Sequence, residues 1–476
     1  MKQIHLIEAV DPGINVREFE LKSFGLGYLV SYAKKYGSYD NFSITTSGPD
    51  IKFNNEIPDI IGITSVTQNF EIAKKLIRNI RRRYKKMIII VGGVHVSALP
   101  FSTPKEVDYI VVGEGEQTFL ELLDFLIKKK NKIENIKGIY YKKDNEFVFT
   151  GPREMIKNLD NIPMPRRSKE EIKQTQHMRL FTSRGCPYRC PYCSASHYWK
   201  NIRFNSAEYV LKELELLINK YRAKEISFGD DLFIGNKPRL EAIAKEIIKK
   251  GWHKKVAFSV LGRANLIDEK TVKLLKSMNV KVIFLGLESG SPRMLKIMKN
   301  STVTIQQNYE AVQLIKREGI RPEGYFMFGY PGETVKDIDA TIDFIKKTNI
   351  GNIGFAITMP FPGTKLWDDA LKKGIVSENM DWNLFQTDFT QDINHALIIS
   401  DIDRKILFRK YKEFLEITLR KNLETSTTLA GYLNRLNFKY ITKLLRNPEK
   451  IIFGFKVLSI ILVNRLLKVL HFKKKA

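Results

Sequence analysis

Cys186, Cys190 and Cys193 are the only cysteines in 476 residues, and all three fall within eight positions. An odd, clustered set in a chain expected to be cytosolic argues for metal rather than disulfides. The segment reads Thr182-Ser183-Arg184-Gly185-Cys186-Pro187-Tyr188-Arg189-Cys190-Pro191-Tyr192-Cys193, with one glycine and two prolines to hold a loop. Thiolates at spacings of four and three can converge on one face of a cubane, leaving one iron of a four-iron cluster without a protein ligand. Such an open position suits a centre that binds a substrate or cofactor. The alternative is structural zinc, which wants a fourth ligand; His197 is the nearby candidate.

The periodicity around this loop divides the chain. Before residue 130, short apolar runs alternate with helical patterns. The predicted strands are Ile4–Ile7, Phe42–Thr45, Ile60–Ile63, Met87–Val91 and Tyr109–Val112, and the helices Gly25–Lys35, Phe70–Tyr84 and Gln117–Lys128. Continuous β-branched strands between amphipathic helices predict a doubly wound parallel sheet with its ligand at the carboxyl ends of the strands. Gly138–Thr150 reads as a hairpin turning at Lys143-Asp144-Asn145, and the prolines at 163 and 165 favour extended chain. A second β/α alternation follows, with strands Arg179–Thr182, Glu225–Phe228, Val256–Val260, Val282–Leu285, Gly324–Phe328 and Ile353–Ile357. Helical patterns at Ala207–Tyr221, Leu240–Lys250, Glu269–Met278 and Ile305–Glu318 go with them, which predicts a partial barrel with its chemistry at the carboxyl ends. Beyond about 385 the strand signals stop, and Asp401–Lys421 is a helical pattern.

The net charge of +27 biases the chain toward anionic partners. From Asp401 onward there are eighteen basic and six acidic residues, so the last sixth of the chain carries twelve of those net charges. Residues 451–476 pair an apolar stretch with Lys456, Arg465, Lys468 and Lys473-Lys474-Lys475. That pattern suits a helix lying on an anionic membrane surface or an ordinary terminal helix with a solvated lysine end. No run of 18 uncharged apolar residues occurs, which argues against a polytopic membrane protein, and Met1–Glu8 lacks the apolar core of a secretory signal. The expected location is the cytoplasm, and on the first of those two readings of the tail also the inner membrane surface.

The C-x3-C-x2-C loop, with aromatic Tyr192 before the last cysteine, resembles the signature of the radical S-adenosylmethionine (SAM) superfamily. Further pieces match at successive strand ends: Phe228-Gly229-Asp230-Asp231, Gly262-Arg263-Ala264-Asn265, Gly286-Leu287-Glu288-Ser289-Gly290-Ser291, Gly329-Tyr330-Pro331-Gly332-Glu333-Thr334 and Pro360-Phe361-Pro362-Gly363-Thr364. The resemblance implies that Cys186, Cys190 and Cys193 hold a 4Fe-4S cluster whose open iron binds the methionine end of SAM. Electron transfer then yields a 5′-deoxyadenosyl radical. It places Tyr192, Asp231, Arg263, Glu288 and Ser289 at the SAM site. There the carboxylates meet cationic groups or ribose hydroxyls, and Arg263 meets the methionine carboxylate. Taken singly, each downstream motif also reads as a helix cap or a turn glycine; their joint order favours the site.

Residues 1–130 resemble the cobalamin-binding domain that precedes the barrel in one subgroup of that superfamily. The matching pieces are Ser23-Phe24-Gly25-Leu26-Gly27-Tyr28-Leu29, Gly62-Ile63-Thr64-Ser65-Val66-Thr67, Val91-Gly92-Gly93-Val94-His95 and Val112-Gly113-Glu114-Gly115-Glu116. The implied cobalamin contacts are Thr64, Ser65, Gly92, Gly93, His95, Gly113, Glu114 and Gly115. The Asp-x-His-x-x-Gly motif of classical cobalamin modules is missing, so cobalt is expected to lack a lower histidine ligand. The implied fold is α/β: a cobalamin-binding domain over 1–135, a linker with hairpin over 136–175, a partial (β/α)6 barrel over 176–385 and a helical basic region over 386–476.

The function implied is methyl transfer to an unactivated carbon of a small-molecule or lipid-like substrate, with a flavodoxin or ferredoxin as electron donor. A radical cyclase or rearrangement enzyme uses the same parts. A non-catalytic cobalamin or iron–sulfur binding protein is the reading from another class; it would release no 5′-deoxyadenosine. The RNA methylthiotransferases need three more cysteines, and none remain after Cys193, so nucleic acid is not an expected partner.

Overall fold

The computed structural model describes residues 2–10, 24–37, 42–49, 57–167, 176–385 and 396–424. They gather into two compact units, the described residues up to 231 with 245–256 and 360–385, and residues 232–244 with 257–359 and 396–424.

The first unit opens with strands β1 (Lys2–Glu8), β2 (Phe42–Ser47), β3 (Ile60–Thr64), β4 (Ile88–Gly92) and β5 (Tyr109–Val111). They form a parallel sheet, and β6 (Ile139–Lys143) and β7 (Glu146–Phe149) add antiparallel edges in the order β2-β1-β3-β4-β5-β6-β7. Chain order reverses at β1, between β2 and β3, so the crevice at the carboxyl ends opens at a switch point. Ile60, Ile61, Gly62 and Ile63 are all buried, as a strand covered on both faces requires. The helices Phe24–Tyr36 and Gly115–Lys128 bury Leu26, Val30, Phe119, Leu122 and Leu126 with Ile4, Leu6 and Ile90 in one core cluster. Helix Phe70–Arg83 buries Phe70, Ala73, Ile77 and Ile80, one stripe at helical spacing. The predicted hairpin turns at Asp144 and Asn145, both left-handed (φ 51° and 66°), the geometry of a two-residue turn that matches strand twist.

The same unit holds the first two barrel strands, β8 (His177–Leu180) and β11 (Glu225–Phe228), paired in parallel. Between them in sequence, β9 (Ser183–Arg184) and β10 (Arg203–Phe204) form a short antiparallel ribbon. The second unit carries β12 (Ala257–Gly262), β13 (Val280–Glu288), β14 (Arg321–Phe328) and β15 (Asn352–Ile357), each parallel to the next. These are the six parallel strands of a partial (β/α)6 barrel. Helices Ile305–Arg317 and Val335–Thr348 start on capping boxes, Thr304 with Gln307 and Thr334 with Asp337. The second of these helices is not among those named from the periodicity; its cap, Thr334, is the last residue of the Gly329–Thr334 motif. Helix Arg404–Glu424 packs Phe414 face to face on Phe328, with ring centroids 5.5 Å apart. Among the described residues no helix is long and apolar enough to cross a membrane. The predicted tail helix at 451–472 lies outside them.

Candidate active site: a cysteine loop opening on a crevice

The cysteine loop is clamped at its base. Asp230, fully buried at the end of β11, accepts the Thr182 amide at 2.5 Å, the Ser183 amide at 3.0 Å and the Thr182 hydroxyl. The Asn205 amide donates to the Thr182 carbonyl at 2.9 Å, and the β9–β10 ribbon joins the two ends of the loop. Gly185 sits at φ 89°, and a Cβ there would lie 2.8 Å from the Asn201 carbonyl and the Trp199 Cβ. On the far side the Leu366 amide donates to the Pro191 carbonyl at 3.1 Å.

Within the loop Cys190 is buried, Cys186 and Cys193 are half-buried, and Tyr192 lies half-buried between the last two. The Cys193 amide donates to the Cys190 carbonyl at 3.1 Å. Burial pushes the Cys193 thiol up, opposed by hydrogen bonds from Ser196, so a thiolate there calls for a compensating metal charge. His197 turns Nδ1 to the Cys193 carbonyl at 2.8 Å. Among the described residues no group of three or more His, Cys, Asp or Glu is placed to hold a single metal ion. Asp231 opens to the cavity beside this loop. Its carboxyl is pushed up to about 6 by the desolvating walls around it and by Asp230, against the Gly185 amide that donates to it.

A cavity of about 400 Å3 runs from the carboxyl ends of the first sheet to this loop. Thr64, Ser65, Gly92, Gly93, Gly113, Glu114 and Gly115 line it from the first sheet; Phe181, Ser183, Arg184, Tyr198, Trp199 and Asp231 line it from around the cysteines. The Ser65 and Ser183 hydroxyls are buried with no protein partner, so each is left for a ligand. Gly93 has φ 106°, and a Cβ there would approach the Thr64 hydroxyl to 2.6 Å. Glycines at the strand ends, aromatic walls and two unspent hydroxyls fit a broad, largely apolar macrocycle with amide side chains, as cobalamin is.

Two implied contacts are otherwise engaged. His95 is buried away from the cavity lining, with Nδ1 3.1 Å from the Thr67 hydroxyl and Nε2 3.1 Å from the Ser102 hydroxyl. Its ring lies 3.8 Å from that of Phe70, and burial holds it down at about 3, so it is a neutral core residue at ordinary pH. Glu114 lines the cavity, but its carboxylate takes Arg184 at 2.6 Å, Arg203 at 2.9 Å and the Ile156 amide at 2.7 Å. Those pairs hold it below the usual carboxylate range despite its burial.

In the second unit, Glu288 ends β13 at φ 60°, where the register slips by one residue against β14, and its carboxylate receives Lys299 at 2.6 Å in a buried pair. Arg263 is buried and donates to the Thr302 hydroxyl. Ser289 is fully buried, its hydroxyl 3.2 Å from that of Thr341 and accepting the Ser291 amide at 3.1 Å. Ser183, Arg184, Tyr198, Trp199 and Lys299 were not singled out from sequence. For the first four the available signal was position: they flank the cysteine loop.

A profile of the Radical SAM superfamily matches residues 180–345, and one of the B12 binding domain matches residues 15–123. An uncharacterised methyltransferase of Pyrococcus horikoshii is 33% identical over 82% of this chain and 87% of its own length. The anaerobic magnesium-protoporphyrin IX monomethyl ester cyclase of Rubrivivax gelatinosus is 25% identical over 86% of this chain and 77% of its own. The fold is shared with the radical SAM methyltransferase TsrM from Kitasatospora setae, solved with cobalamin and a [4Fe-4S] cluster bound: TM-score 0.66, 18% identity, 78% of this chain and 75% of that one. The chain therefore belongs to the cobalamin-binding radical S-adenosylmethionine superfamily, whose enzymes work with a 4Fe-4S cluster, SAM and cobalamin.

Proposed function

We propose that this enzyme is a cobalamin-dependent radical methyltransferase acting on an unactivated carbon of a small molecule. The observation that carries the reading is the single cavity holding two unspent buried hydroxyls, Ser65 at the end of β3 and Ser183 beside the cysteine loop. When bound, the cluster and SAM supply the carbon-activating radical, and cobalamin supplies a transferable methyl group.

In this reading Cys186, Cys190 and Cys193 ligate the cluster, and Asp230 keeps their loop at the end of β8. Ser65, Ser183 and the glycines at 92, 93, 113 and 115 would hold cobalamin. Asp231 and Arg263 bind the methionine end of SAM, and Tyr192 packs beside it. Glu288, its charge balanced by Lys299, suits a neutral ribose hydroxyl better than a cation. Ser289, next to Glu288, spends its hydroxyl on Thr341 of helix Val335–Thr348 and on the Ser291 amide rather than on SAM.

The substrate is small or lipid-like, the electron donor a flavodoxin or ferredoxin, and the location cytoplasmic. Peripheral membrane contact through residues 451–476 rests on the charge pattern of that segment alone. Liposome co-sedimentation of the full chain at low and high salt tests it.

The deciding experiment incubates anaerobically reconstituted protein with reductant, methyl-labelled SAM and cell extract. Formation of 5′-deoxyadenosine together with a product carrying the label supports the reading. 5′-Deoxyadenosine with an unlabelled, dehydrogenated or cyclised product favours the second reading, which the similarity to the cyclase of Rubrivivax gelatinosus motivates. Absence of 5′-deoxyadenosine would leave a binding protein. Replacing any one of the three cysteines by alanine should abolish both the cluster and SAM cleavage.

A further inference from the structure

Both ends of the cysteine loop are tied to one four-residue stretch of the first sheet. Arg184, two residues before Cys186, reaches Glu114 at 2.6 Å and Glu116 at 2.5 Å. Tyr198, five residues after Cys193, donates its hydroxyl to the Gly113 carbonyl at 2.7 Å. The stretch 113–116 lines the cavity on which cobalamin is proposed to sit. The Arg184 guanidinium also lies over the rings of Tyr28 and Trp199, with its central carbon 5.4 and 5.2 Å from their centroids.

These charges are out of water: the Arg184, Glu114 and Glu116 side chains are 13%, 3% and 7% exposed. A buried arginine that satisfies two carboxylates at the start of one helix, Glu114 at its cap and Glu116 in its first turn, has few other low-energy arrangements. Moving the loop breaks charge-assisted bonds that solvent cannot replace. A shift of residues 113–116 is therefore passed to Gly185 and Cys186 at one end of the cysteine loop and to Tyr198 at the other. Rotation of Arg184 in the opposite direction disturbs the crevice.

We propose that Arg184 is a positioning residue that couples seating of cobalamin in the crevice to the geometry of the cysteine loop, so that filling either site favours the other. This rests on the functional reading above. Coupling between two sites is reciprocal and typically spans about 5- to 150-fold in affinity.

The test measures hydroxocobalamin affinity of the full chain in two states, iron-free and anaerobically reconstituted, and the spin resonance of the reduced cluster with and without hydroxocobalamin. The wild type should bind hydroxocobalamin at least about 5-fold more tightly when reconstituted, and the cluster signal should shift on binding. Arg184→Lys keeps the charge but loses the two-pronged contact. It should retain cluster and cobalamin binding while the affinity ratio falls toward one and the shift disappears. Glu116→Gln, which removes one arm only, should give an intermediate ratio and serves if the lysine variant does not fold. Ser65→Ala is the contrast: it should weaken cobalamin equally in both states and leave the ratio unchanged. A ratio of one in the wild type, or a wild-type ratio in both Arg184→Lys and Glu116→Gln, overturns the coupling and leaves the functional reading intact. Absence of hydroxocobalamin binding in both states of the wild type overturns the two together.

Discussion

Asp230 grips Thr182 twice, one carboxylate oxygen taking the backbone amide and the other the side-chain hydroxyl, in a place that water does not reach. The contact joins the ends of β8 and β11 just where the chain leaves for the cysteines. Asp230→Ala would strand the buried Thr182 and Ser183 amides, at about 1–3 kcal/mol for each unsatisfied group. The expected result is a lower unfolding midpoint and fewer irons per chain after reconstitution. Asp230→Asn keeps an acceptor for the amides and should recover most of both. Full iron content in the alanine variant would show that the loop holds its shape without this clamp.

Gly93 makes a sharper demand on the crevice. Its φ of 106° is unfavourable for any side chain, and a Cβ would sit 2.6 Å from the Thr64 hydroxyl and 2.9 Å from the Ser65 carbonyl. Gly93→Ala should push the β3 and β4 loops apart and weaken hydroxocobalamin binding by about tenfold or more, equivalent to roughly 1.4 kcal/mol. The cysteine loop should still take up iron. Unchanged cobalamin affinity would move the cobalamin site away from these loops.

Much of this arrangement is legible in one dimension, and the reason is local. The strands and most helices follow from apolar periodicity, and the cysteine spacing sits within eight residues of chain. What escaped reading is what forms across distance. Arg184 meets Glu114 and Glu116 across about seventy residues. Lys299 reaches Glu288 only because helix Pro292–Met298 folds back, and no spacing rule marks the left-handed Glu288 at the register slip. His95 follows a glycine pair and reads as a cobalamin contact, yet its ring belongs to a buried cluster with Phe70 and Trp382, residues far apart in the chain. Asp230 and Asp231 are adjacent in sequence; one is spent on backbone amides, and its neighbour opens to the cavity. A local pattern does not tell which does which.

The His95 assignment makes two predictions at once. Its ring is held down at about 3 by burial and by Lys74, against an ordinary value of 6.5. The folded protein therefore binds fewer protons here than the unfolded chain between those values. The associated stability is complete above about pH 6.5 and is lost as pH falls toward 3. His95→Gln should lower the melting temperature at neutral pH and flatten its fall on acidification. In the wild type the reduced Co(II) form of bound cobalamin should show no nitrogen coupling from a protein imidazole. Such coupling, removed by His95→Gln, would place this ring on cobalt instead.

Glu333 supplies the opposite pH dependence, in the second unit. One carboxylate oxygen accepts the Gly329 amide at 2.6 Å and the Tyr330 amide at 3.4 Å; the other is buried without a protein partner. Burial pushes the group up to about 7, and Asp337 adds to this, while the two amides and Arg293 oppose it. The folded state thus holds a proton that the unfolded chain has already released above its ordinary 4.5. Stability from this group is complete below about pH 4.5 and is lost as pH rises through 7, an effect on the order of 3 kcal/mol at 1.36 kcal/mol per unit. Glu333→Gln resembles the protonated form at every pH. It should match the wild type in melting temperature near pH 5 and exceed it near pH 8, with the crossover following the titration. A constant offset between the two proteins across that range would mean that the side chain stays ionised in the fold. The turn at Gly329–Thr334 would then be held by a buried carboxylate rather than by a carboxylic acid.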